Sequence, residues 1–203
     1  MAISKTGKQH QELYRKLLLR KSILSRYPPG DGAYYIPFCG AGDIAMELYQ
    51  GKRLYAPDLD PARIATFQER LPDAISKVAN CNGWPFPGCR EPFALADLDA
   101  YSNPYLALKA FWANTQKDSR VVIFGTDGNL QTINRQRRLV EIPRNSGPIC
   151  ADVNKVRAYY NFWWVRQVVP FLQKTILPYG IVHEMHYRRG GGMLYWGIVA
   201  EKK

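Results

Sequence analysis

Ile36-Pro37-Phe38-Cys39-Gly40-Ala41-Gly42-Asp43-Ile44-Ala45 is the stretch on which the reading of this chain turns. It starts inside a β-like run, Ala33–Phe38, and leads into a helical pattern from about Asp43 to Tyr49. Paired glycines between a strand and a helix let the backbone pass close to a bound group and leave helix N–H groups facing it. In an open parallel sheet such a turn lies at the carboxyl ends of the strands, where the ligand crevice opens. A second strand, Lys52–Pro57, runs into Asp58-Leu59-Asp60-Pro61, which places Asp58 18 residues after Gly40. An acid about 20 residues beyond a glycine turn is the spacing of a ribose-binding carboxylate. The third glycine of a dinucleotide turn is replaced by Ala45, which weakens NAD as the ligand without excluding it.

Outward from this unit, short β-like runs alternate with helical stretches, the pattern of an α/β protein with a mainly parallel sheet. Residues 3–26 read as an amphipathic helix, ended by Pro28-Pro29-Gly30-Asp31-Gly32. Pro61 suits the first turn of a helix running to about Leu71, and residues 80–92 are turn-rich without assignment. Phe93–Leu98 is a third clear strand, Pro104–Thr115 a helix and Arg120–Gly125 a fourth strand. A long basic connection, residues 126–152, holds Arg135, Arg137, Arg138 and Arg144, and a connection of that length is more often functional than idle. A helix is expected from about Asp152 to Leu177, kinked at Pro170. Ile181–Tyr187 and Met193–Ala200, around Arg188-Arg189-Gly190-Gly191-Gly192, predict an antiparallel hairpin closing the sheet. The expected organisation is one domain, with residues 1–32 as a basic helix and linker and residues 33–203 as the α/β body.

The chain has 203 residues and a formal net charge of +11. That charge is divided along the sequence: residues 1–26 carry +6, residues 27–130 carry −3 and residues 131–203 carry +8. Basic ends flanking a mildly acidic centre point to a polyanion as partner, because each Lys or Arg on a phosphate releases counterions. Hydrophobic residues make up 46% and are spread along the chain, which excludes a disordered basic tail. No stretch reaches the ~18 apolar residues of a membrane span, so a cytoplasmic protein is expected. The four cysteines, Cys39, Cys81, Cys89 and Cys150, form no Cys-x-x-Cys pair and are expected to be free thiols.

The wording of the motifs adds a resemblance. Pro37-Phe38-Cys39-Gly40-Ala41-Gly42 resembles the Pro-Phe-Cys-Gly-x-Gly motif of S-adenosylmethionine-dependent nucleic-acid methyltransferases, and Tyr55–Ile64 is similar to their second strand and its acid. Asp97-Leu98-Asp99-Ala100-Tyr101-Ser102-Asn103-Pro104-Tyr105 resembles the catalytic turn of the tRNA guanine N2-dimethyltransferases, Asp-x-Asp-Pro-Phe/Tyr-Gly-Ser-Pro. The match falls on Asp97, Asp99, Tyr101 and Pro104 and departs at Ala100, Ser102 and Asn103. Val121–Asp127 is similar to that family's next strand with its Thr-Asp ending, and His186-Tyr187-Arg188 to its His-Tyr-x-Arg.

The resemblance implies a Rossmann-like class I methyltransferase fold with S-adenosylmethionine as cofactor. Phe38, Cys39, Gly40, Ala41 and Gly42 would approach the amino acid part of the cofactor, Asp58 and Leu59 its ribose, with Asp97 beside them. Asp99, the Ala100 carbonyl and Tyr101 would hold the target amine, supported by Asp97. Tyr105, Arg135, Arg137, Arg138 and Arg188, with the helix 3–26, would bind the substrate. The family's members are longer and carry a second RNA-binding domain, so a short target or a recruiting partner is expected here.

These residue types suit the chemistry. The lone pair of an exocyclic base amine is delocalised into the ring, so a carboxylate and a carbonyl accepting its two hydrogens favour a pyramidal, more nucleophilic nitrogen, while Tyr101 stacks on the base. No cysteine lies in the turn, which argues against methylation at ring carbon through a thiolate adduct. His183 and His186 fall on opposite faces of a strand, which argues against a metal site. The aromatic run 159–164 reads as core packing, and Trp84 and Phe86 as either packing or a stacking platform. The rival readings are a methyltransferase of a protein or small molecule, a NAD-binding oxidoreductase, and a catalytically silent nucleic-acid-binding module.

Overall fold

The computed structural model describes residues 7–100, 103–129, 164–189 and 193–203, and the side chains of all of these except 7–11 and 188–189. Helix α1 (Gly7–Arg26) leads into β1 (Ala33–Tyr35), α2 (Asp43–Leu48), β2 (Leu54–Asp58), α3 (Pro61–Arg70), β3 (Ile75–Val78), β4 (Pro92–Leu98), α4 (Tyr105–Asn114) and β5 (Gln116–Asp127). A π-helical turn, Trp164–Val168, then continues into α5 (Val169–Thr175) and the hairpin β6 (Tyr179–Arg189) and β7 (Met193–Lys202). Among the described residues no helix is long and apolar enough to cross a membrane.

The seven strands form one sheet in the order β3-β2-β1-β4-β5-β7-β6. The first five are mutually parallel, β7 runs antiparallel to β5, and β6 antiparallel to β7. This is the mainly parallel α/β sheet with an antiparallel C-terminal hairpin expected from the sequence. The strand order reverses between β1 and β4, so the crevice of an open sheet falls at their carboxyl ends.

Each face of the sheet is covered by its own apolar layer. Leu19 and Ile23 of α1, Ile44 and Ala45 of α2 and Phe67 of α3 pack on Tyr34, Leu54, Leu95, Val122, Tyr195 and Val199. Tyr105, Leu108 and Phe111 of α4, Trp164 and Val168 of the π turn and Leu172 of α5 pack on Tyr35, Phe93, Ile123, Leu194 and Trp196. The alternation of Tyr34 and Tyr35 between the two layers follows from the two-residue period of a strand. No helix lies between β3 and β4; instead the loop carrying Trp84 and Phe86 covers the sheet, with Trp84 5.1 Å from the Tyr35 ring and Phe86 5.2 Å from the Tyr55 ring. Of the two readings for these aromatics, the structure shows packing.

Several boundaries differ from expectation. Strand β1 stops at Tyr35 rather than Phe38, because Phe38 takes a left-handed φ of 59° as the chain swings into the glycine turn. Strand β3 is absent from the sequence reading, since Ile75-Ser76-Lys77-Val78 is a largely exposed edge strand without apolar alternation. Strand β5 begins four residues early, in a stretch where its side chains are still largely solvated. The helix expected over 152–177 is described only from Trp164; it opens with a π turn ahead of Pro170, which sits in the first turn of α5, and it ends at Thr175. Pro170 supplies no N–H to the turn before it, and the change from π to α winding falls beside it.

Candidate functional site

The glycine turn and the acid after β2 meet in space. The Gly40 N–H donates to Asp58 Oδ2 at 3.1 Å, and the Asp60 N–H donates to Asp58 Oδ1 at 3.0 Å. Asp58 therefore ties the end of β2 to the turn after β1, and its side chain is 6% exposed. Asp60 in turn caps α3, accepting from the N–H of Ala62 at 2.9 Å, with Pro61 in the first turn as its sequence predicts.

The two glycines serve different ends. Gly40 has φ 54° and no atom within 4 Å of where a Cβ would stand, so the turn opens onto free space at this point. Gly42 has φ 81°, and a Cβ there would lie 2.9 Å from the Phe67 ring, so α3 can press directly against the turn. Arg70, at the end of α3, donates from one guanidinium nitrogen to the Ala41 carbonyl at 2.5 Å and to Asp43 Oδ1 at 3.0 Å. Helix α3 thus braces the turn through a ring and a cation.

Phe38 and Cys39 are half-buried, and Leu59, just past Asp58, is 65% exposed. Cys39 Sγ lies 3.8 Å from the Ala56 carbonyl, and Cys81 Sγ donates to the Pro57 carbonyl at 3.3 Å. Burial, and then the nearby Asp58 charge, push the Cys39 thiol well up, and burial with Asp58 pushes Cys81 up to about 11. Both therefore stay protonated at neutral pH, which leaves neither poised as a thiolate nucleophile. Cys39, Cys81 and Cys89 are free thiols, as expected.

At the end of β4 the two acids of the predicted catalytic turn have partners that the sequence reading did not assign. Asp97 receives Arg20 Nε on Oδ2 at 2.7 Å and an Arg20 terminal nitrogen on Oδ1 at 2.5 Å, and the Tyr49 hydroxyl donates to Oδ2 at 2.7 Å. The arginine and aspartate side chains are each 1% exposed. Asp97, expected beside the cofactor, anchors α1 and the end of α2, because a buried carboxylate needs its charge matched where it lies.

Asp99 sits two residues on and is partly open. Lys16 Nζ donates to its two oxygens at 2.7 and 2.8 Å, and the Thr126 hydroxyl of β5 also donates to Oδ1. The Lys16 and Asp99 side chains are 20% and 21% exposed. Burial by itself would raise the Asp99 carboxyl, but the Lys16 and Arg20 charges and the hydrogen bonds from Lys16 and Thr126 outweigh it and hold it below the usual carboxylate range. Ala100 is buried, its N–H bonded to the Leu98 carbonyl at 2.8 Å.

Tyr105 was expected to meet substrate, but its side chain is enclosed. It is 0% exposed, stacked on Trp196 with ring centroids 6.2 Å apart, and its hydroxyl donates to Asp127 Oδ2 at 2.6 Å. As the first residue of α4 it follows that helix's apolar face into the core. Helix α1 likewise lies on the sheet, with Lys16 and Arg20 turned inward; Tyr14, Lys21 and Arg26 remain exposed. His183 stacks on Tyr27 and His186 lies tilted against Trp164, so the two imidazoles lie against different elements. Tyr101, Arg135, Arg137, Arg138 and the side chain of Arg188 lie outside the described residues, as do aromatics 159–163 and Cys150.

Sequence reasoning missed Lys16, Arg20, Tyr49, Arg70 and Thr126. For the first two a signal existed. Lys16 and Arg20 are four apart on a helix, about 6 Å along its axis, and Asp97 and Asp99 are two apart on a strand, about 6.6 Å. Two cations on one helix face match a carboxylate in the last residues of β4 and another just past its end at nearly equal spacing.

No protein-family model matches the sequence, and no curated protein matches it in sequence. Solved structures match it in fold. N-methyltransferase NodS from Bradyrhizobium japonicum WM9, in complex with S-adenosyl-L-homocysteine, is 13% identical and superposes with a TM-score of 0.60, covering 94% of this chain and 87% of that one. Magnesium protoporphyrin IX methyltransferase ChlM from Synechocystis PCC 6803, also with S-adenosyl-L-homocysteine bound, is 12% identical with a TM-score of 0.57, covering 100% and 90%. The [4+2]-cyclase SpnF is 11% identical with a TM-score of 0.55, covering 92% and 81%. The same architecture thus serves different chemistries, and the site must carry the functional argument. By fold, the chain is a Rossmann-like α/β protein with the seven-stranded sheet of S-adenosylmethionine-dependent methyltransferases.

Proposed function

We propose that this protein is an S-adenosylmethionine-dependent methyltransferase acting on nucleic acid at an exocyclic amino group of a base. The observation that carries the reading is the joining of the glycine turn to Asp58 at the strand-order reversal, with the partly open Asp99 at the end of the next strand. The residues present fit the cofactor: open space above Gly40, a carboxylate at the end of β2 for ribose hydroxyls, and the exposed Leu59 beside it. Structures of this fold that hold S-adenosyl-L-homocysteine support the choice.

When bound, S-adenosylmethionine supplies a sulfonium methyl group. The chain's own part is to orient the acceptor. Asp99 accepts one hydrogen of the target amine and the Ala100 carbonyl the other, which localises the nitrogen lone pair toward the methyl carbon. The proton that the amine gives up on methylation would pass to Asp99 or water. Positioning and preformed charge supply most of the rate. Tyr101 stacks on the base, and Arg135, Arg137, Arg138 and Arg188 meet phosphates, in keeping with the +8 of residues 131–203. A base within a duplex must first be flipped out. The motif resemblance favours the tRNA guanine N2-dimethyltransferases as the nearest reaction type.

The test is incubation with labelled S-adenosylmethionine and separate pools of tRNA, rRNA and DNA, followed by nucleoside analysis. Label in an N-methylated base is expected. Calorimetric binding of NADH with none of S-adenosylmethionine overturns the reading in favour of an oxidoreductase. A second reading, a nucleic-acid-binding module without catalysis, is favoured by the engagement of Asp99 with Lys16 and by Ala100 in place of the family's proline. Methyl transfer that is present and lost in Asp99→Ala decides against it.

A further inference from the structure

Helix α1 contributes two cations to the end of β4, and the two ion pairs differ in their access to water. The Arg20–Asp97 pair is sealed, with both side chains 1% exposed, and Leu19 and Ile23 bury the same helix face. Lys16, one turn earlier, reaches Asp99 where both side chains remain about one-fifth exposed. An ion pair partly open to water adds less to stability than a sealed one. Its place is informative instead, since Asp99 stands at the carboxyl end of β4, next to the strand-order reversal.

We propose that Lys16 is a positioning residue of the methyl-acceptor pocket, fixing the Asp99 carboxylate at the mouth of the crevice and making α1 a working part of the site. This rests on the methyltransferase reading and adds to it a residue that the catalytic-turn motif does not contain. Lys16 Nζ bonds both Asp99 oxygens, and the Thr126 hydroxyl bonds one of them from β5, so the carboxylate plane is held from two elements. Three of the roughly four acceptor sites of the carboxylate are engaged in this way, which leaves one, on Oδ2, for an amine.

Among the described residues, the groups facing Asp99 come from three elements besides its own. From α1 come Lys16 and Arg20; Arg20 is itself neutralised by Asp97 of β4, to which Tyr49 at the end of α2 also donates. From β5 comes Thr126, while Asp127 is turned to the Tyr105 hydroxyl. From β7 the Tyr195 ring lies beneath Lys16, 5.6 Å from Nζ to the ring centroid. Lys16 is therefore the cation in direct contact with Asp99 among the described residues. Its ammonium keeps the carboxylate ionised at pH values where an uncompensated, enclosed acid would take up a proton.

The experiment compares wild type with Lys16→Met and Lys16→Arg. Three quantities are read: the Asp99 carboxyl titration by carbon-13 NMR, assigned with Asp99→Asn; the pH dependence of kcat on the methylated nucleic-acid pool; and S-adenosylmethionine binding by calorimetry. Lys16→Met is expected to raise the Asp99 midpoint by about one pH unit or more, and to move the acid limb of kcat with it. Cofactor affinity should stay within about twofold, because the cofactor turn does not touch Lys16. Lys16→Arg should restore both midpoints. An unchanged Asp99 titration in Lys16→Met overturns the proposal, as does a raised midpoint with an unmoved kcat profile. Wild type that binds no S-adenosylmethionine overturns the methyltransferase reading and this role with it, an outcome distinct from the other two. Thermal midpoints and calorimetry identify a variant that fails to fold, in which case Lys16→Gln takes the place of Lys16→Met.

Discussion

Arg20 and Asp97 form a two-point ion pair at 2.5 and 2.7 Å between α1 and β4, with both side chains shut off from water. Burial opposes the guanidinium charge, but Asp97 and then Asp99 outweigh it and hold Arg20 firmly protonated. Removing one partner leaves the other charged and buried. Arg20→Met should therefore destabilise the fold by about 3–5 kcal/mol, whereas the double variant with Asp97→Leu should recover most of that loss. Urea unfolding monitored by tryptophan fluorescence measures both.

The bracing of the glycine turn by α3 predicts a graded series. Gly42→Ala places a Cβ against Phe67 at a left-handed φ, so it should cost about 1–3 kcal/mol of stability and weaken cofactor binding. Arg70→Gln removes partly exposed contacts to Ala41 and Asp43, so it should leave stability nearly unchanged and weaken S-adenosylmethionine binding about threefold. Calorimetric titration alongside thermal unfolding separates the two effects.

Asp58 holds the Gly40 and Asp60 N–H groups and is proposed to meet ribose hydroxyls. Asp58→Ala removes charge-assisted hydrogen bonds worth about 1.5–3 kcal/mol each, so cofactor affinity should fall by about tenfold or more. Nucleic-acid binding measured without cofactor should be unaffected.

Asp99 carries a pH signature of its own. Its carboxyl is held below the usual range in the folded protein, so the stability it contributes is present above the unfolded value, near 3.9, and is lost as pH falls through the depressed folded value. Acid unfolding of wild type should steepen below about pH 4. Asp99→Asn should flatten the dependence of unfolding free energy on pH in that window, as read by denaturant melts at several pH values.

The basic connection supplies a test of the substrate class. Neutralising Arg135, Arg137 and Arg138 to Gln together should lower the slope of log affinity against log salt by about 2–3 for nucleic acid. S-adenosylmethionine affinity should be unchanged. Equal losses of both would refute the division of the chain into a cofactor-side centre and substrate-side basic segments.

Much of the fold was legible before the structure. The glycine turn, the acid 18 residues later and the alternation of β-like runs with helical stretches are local properties, set by backbone freedom at glycine and by side-chain period. They placed β1, β2, β4, β5 and the closing hairpin within a few residues. The edge strand β3 was not legible, because a solvated strand has no buried face to impose an apolar alternation. Within the site, Asp58 stands where its spacing put it, joined to Gly40.

The roles of the charged residues are another matter. Sequence alone determined that cations gather at the two ends of the chain and that Asp97 and Asp99 follow an apolar strand. Only the tertiary structure decided that Arg20 belongs to Asp97 and Lys16 to Asp99, and that Tyr105 turns into the core. Such pairings join residues 77 and 83 positions apart. They follow from a helix lying across a sheet, where a charge excluded from water must find its opposite at the place the packing puts it.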